Sequence, residues 1–221
     1  MTDGGHAGPQ TDLAARLRLM ILTTPRPACG RPLPRVVREC LEAGATAIQL
    51  RDKTASADEL YGIALELLAE VSSFDALLLV NDRFDVALAA GAHGVHLGPD
   101  DLPVPAVRRV VPRGFLIGSS TDDPPTGRRL ARAGADYLGV GAVFGTRSKP
   151  GLEHESIGSG RVADVADVAG IPCVGIGGIT VDNAAEVAQI GAGIAVLSAV
   201  MDSPNPGEAV LALRRSIDEV R

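Results

Sequence analysis

The sequence predicts an α/β protein built as a single (β/α)8 barrel, and three observations predict it. Short apolar runs alternate eight times with longer segments of helical periodicity. Three of the runs follow the same small-residue stop, in "EAGATAIQL", "AAGAHGVHL" and "RAGADYLGV", as expected of one βα unit used repeatedly. Polar residues cluster at the carboxyl ends of the runs, the rim where such barrels place their sites. An open doubly wound sheet is the runner-up, but the first βα turn has no G-x-G-x-x-G.

The apolar runs, in order, are residues 19–23, 47–50, 77–80, 94–97, 115–118, 137–140, 173–176 and 194–197. Amphipathic segments between them include 33–43, 57–71, 104–111, 124–133 and 184–189, and 206–220 closes the set. Ser56 and Asp182 stand where N-caps belong, and Gly44, Gly91, Gly134 and Gly191 follow helical runs as C-terminal stops. Residues 1–17 begin with the polar, Gly-rich "MTDGGHAGPQTD" and read as a flexible leader, with the barrel domain over 18–221.

Composition agrees with a parallel barrel. The chain is 46% hydrophobic but only 3% aromatic and lacks Trp, so Val, Ile, Leu and Ala must fill its interior. The net charge of -6 argues against nucleic acid or a membrane surface as partner and favours a small molecule. Cys29, Cys40 and Cys173 have no metal or disulfide spacing, which suits reduced thiols in a cytoplasm. No stretch is long and apolar enough to span a bilayer. A homo-oligomer is compatible with the sequence without being specified by it.

The rim carries the chemistry. Its polar residues are Gln49, Arg51 and Lys53; Asn81 and Asp82; His96, Asp100 and Asp101; Ser119 and Ser120; Thr146, Ser148 and Lys149; Gly177 and Gly178; and Ser198. Gln49, Arg51 and Lys53 alternate, so in extended chain they face one way. The loop "GAVFGTRSKPG" offers small residues, hydroxyls and Lys149 to a phosphate, and "VGIGGIT" and "AVLSAVM" follow strands seven and eight, where barrels commonly hold one. Asp82 and Asp101 lie one βα unit apart, on neighbouring strand ends. They either share a hard cation such as Mg²⁺ or cap the helices that follow, and spacing alone leaves both readings open. His96 is read first as a satisfied core or rim histidine.

"AIQLRDK", "LLVNDRFDVALAAGAHGVHLGPDDLP", "IGSST", "ADYLGVGAVFGTRSKPG", "VGIGGIT" and "AVLSAV" together resemble, in order and over nearly the whole chain after the leader, the thiamine-phosphate synthase family. The resemblance implies a transferase that joins hydroxymethylpyrimidine diphosphate to thiazole phosphate, releasing pyrophosphate. It further implies that Asp82 and Asp101 ligate Mg²⁺, and that Gln49, Arg51, Lys53 and Asn81 contact the pyrimidine diphosphate. Ser120 matches a serine near the pyrophosphate, and Lys149 a phosphate-binding lysine, so Arg51, Lys53, Ser120 and Lys149 form the implied catalytic set. Thr146, Ser148, Gly178, Leu197 and Ser198 match the thiazole-phosphate cradle. A carbocation-like step is implied, so charge neutralisation and exclusion of water are needed and a covalent nucleophile is not.

The chain departs from the family pattern at three places. Asp122 stands where a histidine is common, Ser148 replaces a threonine, and "GAGIAVLS" is one residue shorter. Asp122 would bring an acidic group close to a diphosphate or serve as a helix cap. The rival readings are a thiazole tautomerase paralogue, which needs no pair of metal carboxylates, and a non-catalytic barrel that binds a phosphorylated metabolite.

Overall fold

The computed structural model describes residues 9–145 and 156–220. Eight parallel strands, β1 (Leu19–Leu22), β2 (Ala47–Leu50), β3 (Leu77–Asn81), β4 (Gly94–Leu97), β5 (Leu116–Ser120), β6 (Tyr137–Val140), β7 (Cys173–Ile176) and β8 (Gly193–Val196), pair in sequence order and close β8 onto β1. The predicted (β/α)8 barrel is therefore the fold. Helices α1 (Pro9–Arg16), α2 (Leu33–Glu42), α3 (Ala57–Val71), α4 (Phe84–Ala90), α5 (Val104–Arg108), α6 (Pro124–Arg132), α7 (Gly158–Ala169), α8 (Ala184–Ala188), α9 (Ser198–Met201) and α10 (Pro206–Asp218) complete it.

Side-chain alternation divides the core in two. Outward residues such as Ile21, Ile48, Leu78, Val95, Ile117, Leu138 and Ile194 pack beneath the helices. Inward residues Met20, Leu22, Ala47, Leu77, Leu79, Tyr137, Val174 and Ala195 fill the barrel itself. Small and large residues interleave inside it, as a narrow barrel requires. A Cβ at Gly118 would overlap the Tyr137 ring, and one at Gly139 would stand 2.9 Å from His96 Cε1. Those two glycines make the room in which the interior's two polar rings sit.

Local signals account for the helix ends. Ser56 caps α3 in a capping box: its hydroxyl accepts from Glu59 N–H at 3.3 Å while the Glu59 carboxylate accepts from Ser56 N–H at 2.8 Å. Gly91 ends α4 in the left-handed region, and Gly44, Gly134 and Gly191 also take positive φ after their helices. The expected cap Asp182 is one residue early, because Asn183 occupies the N-cap position of α8. Its Oδ1 accepts from Thr180 N–H at 2.8 Å and its Nδ2 donates to the Gly178 carbonyl at 3.0 Å. That pair of bonds ties down the loop after β7 instead of the helix.

The described part of the leader, residues 9–17, differs from expectation as well. Residues 9–16 form α1, Leu17 is fully buried, and Leu13 packs against the inner barrel core. Leu13 and Leu17 are one helical turn apart, so burying the pair orders the segment leading into β1. Among the described residues, no helix is long and apolar enough to cross a membrane.

Candidate active site

A cavity of about 290 Å³ opens at the carboxyl ends of the strands. Every predicted site residue that is described lines it: Gln49, Arg51, Lys53, Asn81, Asp82, Asp101, Ser120, Gly178, Leu197 and Ser198. Thr146, Ser148 and Lys149 lie outside the described residues. Asp100, His96, Tyr137 and an apolar floor of Met20, Leu22, Val174, Ile176 and Ala195 complete the wall.

On the β2 side, Gln49 is buried and its amide donates to Met20 Sδ at 3.4 Å, a weak acceptor that leaves the group free to prefer a better partner. Arg51 and Lys53 extend past the strand into the same cavity. Thr23, fully buried at the end of β1, fixes this exit: its N–H donates to Gln49 O at 3.0 Å and its Oγ1 accepts from Arg51 N–H at 3.0 Å. Sequence inspection missed Thr23 because its partners lie on the neighbouring strand.

The two aspartates are not helix caps. Arg83 and Pro103 hold the N-cap positions of α4 and α5, with no side-chain cap bond at either. Asp82 instead takes a left-handed φ of 63°, uncommon outside glycine and tolerated by Asp, while its N–H donates to His96 O at 2.8 Å. Asp101 Oδ2 accepts from Gly98 N–H at 2.6 Å, which folds the Gly98–Asp101 turn back toward the cavity. Lys53 Nζ stands 3.7 Å from Asp82 Oδ2. Burial first, and then the facing Asp101 carboxylate, push the Asp82 carboxyl above its ordinary pKa, with Lys53 and Arg51 opposing. Two hard carboxylates in mutual repulsion at a phosphate-sized pocket fit a Mg²⁺ site completed by substrate oxygens. Among the described residues, no cluster of three or more His, Cys, Asp or Glu forms a metal cage of its own.

Ser120 ends β5 beside the histidine of β4. His96 Nε2 lies 2.9 Å from Ser120 Oγ, and His96 Nδ1 lies 2.9 Å from the Tyr137 hydroxyl. Burial lowers the His96 pKa from 6.5 to about 4 and raises that of Tyr137. The unfolded chain binds the histidine proton at a pH where the folded chain refuses it, so stability falls as pH drops from about 6.5 toward 4. A shift of this size corresponds to a loss of up to about 3 kcal/mol. Urea unfolding across that range should therefore show a steeper decline for the native chain than for His96→Gln.

The opposite wall is backbone. Val143 N–H donates to Ile176 O at 2.9 Å and Phe144 N–H to Gly177 O at 3.0 Å, so the chain beyond β6 continues to pair with the chain beyond β7. Gly178 has φ 67°, and a Cβ there would overlap Gly145 O and stand 2.7 Å from Phe144 O. Ser198 begins the short helix α9 directly after β8. Asp122 is not among the residues that line the cavity, and the cap of α6 is Asp123, whose carboxylate accepts from Thr126 N–H at 2.9 Å. The capping role left open for Asp122 thus belongs to its neighbour.

Fold and rim define a (β/α)8 barrel with a cationic and acidic pocket at the carboxyl ends of its strands. The family model for thiamine monophosphate synthase matches residues 19–200. The thiamine-phosphate synthase of Natronomonas pharaonis is 42% identical over 202 residues, covering 90% of this chain and 94% of that one. That of Coprothermobacter proteolyticus is 42% identical over 206 residues, covering 93% and 97%. The solved thiamine phosphate pyrophosphorylase of Pyrococcus furiosus superposes with a TM-score of 0.85 at 41% identity, covering 94% of this chain and 98% of that one. The chain belongs to the thiamine monophosphate synthase family.

Proposed function

We infer that this chain is a thiamine-phosphate synthase, a transferase that joins hydroxymethylpyrimidine diphosphate to thiazole phosphate with release of pyrophosphate. The observation that carries this reading beyond family membership is the paired Asp82 and Asp101, facing each other at the rim beside Arg51 and Lys53. A thiazole phosphate alone supplies no diphosphate to need the cation that such a pair would hold. The apolar floor and buried Gln49 suit a flat aminopyrimidine, whose polar edge gives the Gln49 amide a better partner than a thioether.

The work of the protein is positioning and charge. Arg51 and Lys53, both on the cavity wall, gather the diphosphate, and their charges stabilise the leaving group as negative charge develops on it. Asp82 and Asp101 would hold Mg²⁺, which supplies Lewis-acid neutralisation of the departing pyrophosphate. Gly178, Leu197 and Ser198 line the side on which the second phosphate would rest, against backbone N–H groups. Ser120 stands between, within reach of a diphosphate oxygen. No residue of the cavity need act as a nucleophile, because the methylene–oxygen bond breaks as pyrophosphate leaves with its electron pair and the thiazole nitrogen then captures the carbocation-like methylene.

Lys149 is assigned to the same leaving group, and Lys149→Ala should lower kcat roughly 10²-fold. An unchanged kcat would remove it from the set. A reducing cytoplasm is the compartment this reading assigns, in keeping with free Cys29, Cys40 and Cys173. Burial pushes the thiols of Cys40 and Cys173 up to about 12, so both stay protonated and unreactive.

Mass spectrometry of the products formed from the two substrates together, and from each alone, tests the activity. Thiamine phosphate appearing only with both substrates supports the synthase. Rearrangement of a thiazole precursor without the pyrimidine, read by ¹H NMR because it leaves the mass unchanged, would identify a tautomerase, and binding without turnover a sensor.

A further inference from the structure

The Tyr137, His96 and Ser120 chain runs from the barrel interior to the cavity wall, and its protein partners favour one arrangement of its protons. Tyr137 and His96 are buried, and among the described residues the only partner of the Tyr137 hydroxyl is His96 Nδ1. A protonated Nδ1 would leave the phenolic hydrogen of a side chain only 1% exposed without a protein acceptor among the described residues, a cost of about 1–3 kcal/mol. Tyr137 therefore donates and Nδ1 accepts. The neutral ring then carries its proton on Nε2 and donates it to Ser120 Oγ at 2.9 Å. A hydroxyl oxygen that receives a hydrogen bond from behind turns its own proton away, and on its open side Ser120 faces the cavity.

The sheet is built around this chain. Gly118 lies between His96 and Tyr137 in the register, and Gly139 pairs with Ser120. A side chain at Gly118 would overlap the Tyr137 ring, and one at Gly139 would crowd His96. Two interior positions are thus left empty of side chains so that the rings can reach each other.

We propose that Tyr137 and His96 are positioning residues which fix the histidine tautomer and thereby commit the Ser120 hydroxyl to donate into the cavity. Under the synthase reading, on which this rests, the recipient is an oxygen of the leaving diphosphate. The donor is set before substrate arrives, so no reorientation is needed while negative charge develops there.

Two measurements test it. Imidazole ¹⁵N NMR of the metal-free, substrate-free protein should report the Nε2–H tautomer for His96, and Tyr137→Phe should shift that ring toward the other tautomer or a mixture. An Nδ1–H ring in the native chain, or one unmoved by Tyr137→Phe, would overturn the proposal whether or not the protein turns over. Kinetically, Tyr137→Phe should lower kcat about 10-fold with KM little changed, and Ser120→Ala should lower it 10²-fold or more. The double variant should be no slower than Ser120→Ala, since the tyrosine acts only through the serine. Losses that multiply would make Tyr137 a packing residue and also overturn the proposal. Absence of thiamine phosphate from the native protein, with the NMR result intact, would defeat the synthase reading alone.

Discussion

Asp82→Asn is expected to abolish turnover while making the metal-free protein more stable. Asn is isosteric and tolerates the left-handed φ of 63° that this position requires, so the turn after β3 survives the change. Its loss is chemical: one of the two carboxylates that would hold Mg²⁺ becomes neutral, and a fall in kcat of about 10³-fold or more is expected from losing several kcal/mol of the charge stabilisation that the cation would supply. Stability moves the other way. Burial and Asp101 raise the Asp82 carboxyl pKa in the folded chain, so the native state holds that proton to higher pH than the unfolded chain does. Above that range the ionised group weakens the fold, and removing its charge restores what was lost. Each kcal/mol recovered corresponds to about 2–4 °C in Tm for a chain of this size. A melting temperature that falls in EDTA would show Asp82 to be a structural partner of Lys53; unchanged kcat would remove it from the chemistry.

Gly178→Ala should split the two substrates. The position has φ 67°, which costs an L side chain about 1–2 kcal/mol, and its Cβ would overlap Gly145 O. The segments on both sides of the overlap are tied, because Phe144 N–H is bonded to Gly177 O and the Gly178 carbonyl accepts from Asn183 Nδ2. The loop must move, and with it the backbone N–H groups assigned to the thiazole phosphate. KM for that substrate is expected to rise about 10²-fold, or nearly 3 kcal/mol, with KM for the pyrimidine diphosphate little altered. An equal rise for both would mean that the loop shapes the whole cavity and is not a dedicated phosphate cradle.

Much of the fold was legible because its signals are local. The repeated Ala-Gly-Ala stops before β2, β4 and β6 and the short apolar runs report one βα unit without reference to partners. Rim residues followed, since a barrel sends the carboxyl end of every strand to one face. The choice between cap and cation at Asp82 and Asp101 was not legible, as an acidic residue between strand and helix serves either purpose. Backbone geometry removes the cap reading: Asp82 takes a left-handed φ, and Arg83 and Pro103 stand at the helix starts. The same one-residue ambiguity misassigned the α8 cap to Asp182 in place of Asn183, and left Asp122 as a candidate where Asp123 serves.

The interior network was hidden for a different reason. His96, Tyr137 and Ser120 sit on three strands and meet only through the register that aligns His96 with Gly118 and Gly118 with Tyr137. A lone histidine in an apolar run reads as a core residue, which His96 also is. Its role emerges from what its two nitrogens touch. Within the leader, residues 9–17 were misread because polar composition outweighed Leu13 and Leu17, a single apolar pair one turn apart that the barrel interior captures.

Whether the facing aspartates are a cation site is decided most directly by Mn²⁺ binding in the presence of inorganic pyrophosphate, followed by electron paramagnetic resonance. The native chain should bind Mn²⁺ tightly only when pyrophosphate is present, and both Asp82→Asn and Asp101→Asn should lose that binding while remaining folded. Equal binding by all three proteins would contradict the assignment, leaving the two carboxylates as rim residues and the diphosphate to Arg51 and Lys53 alone.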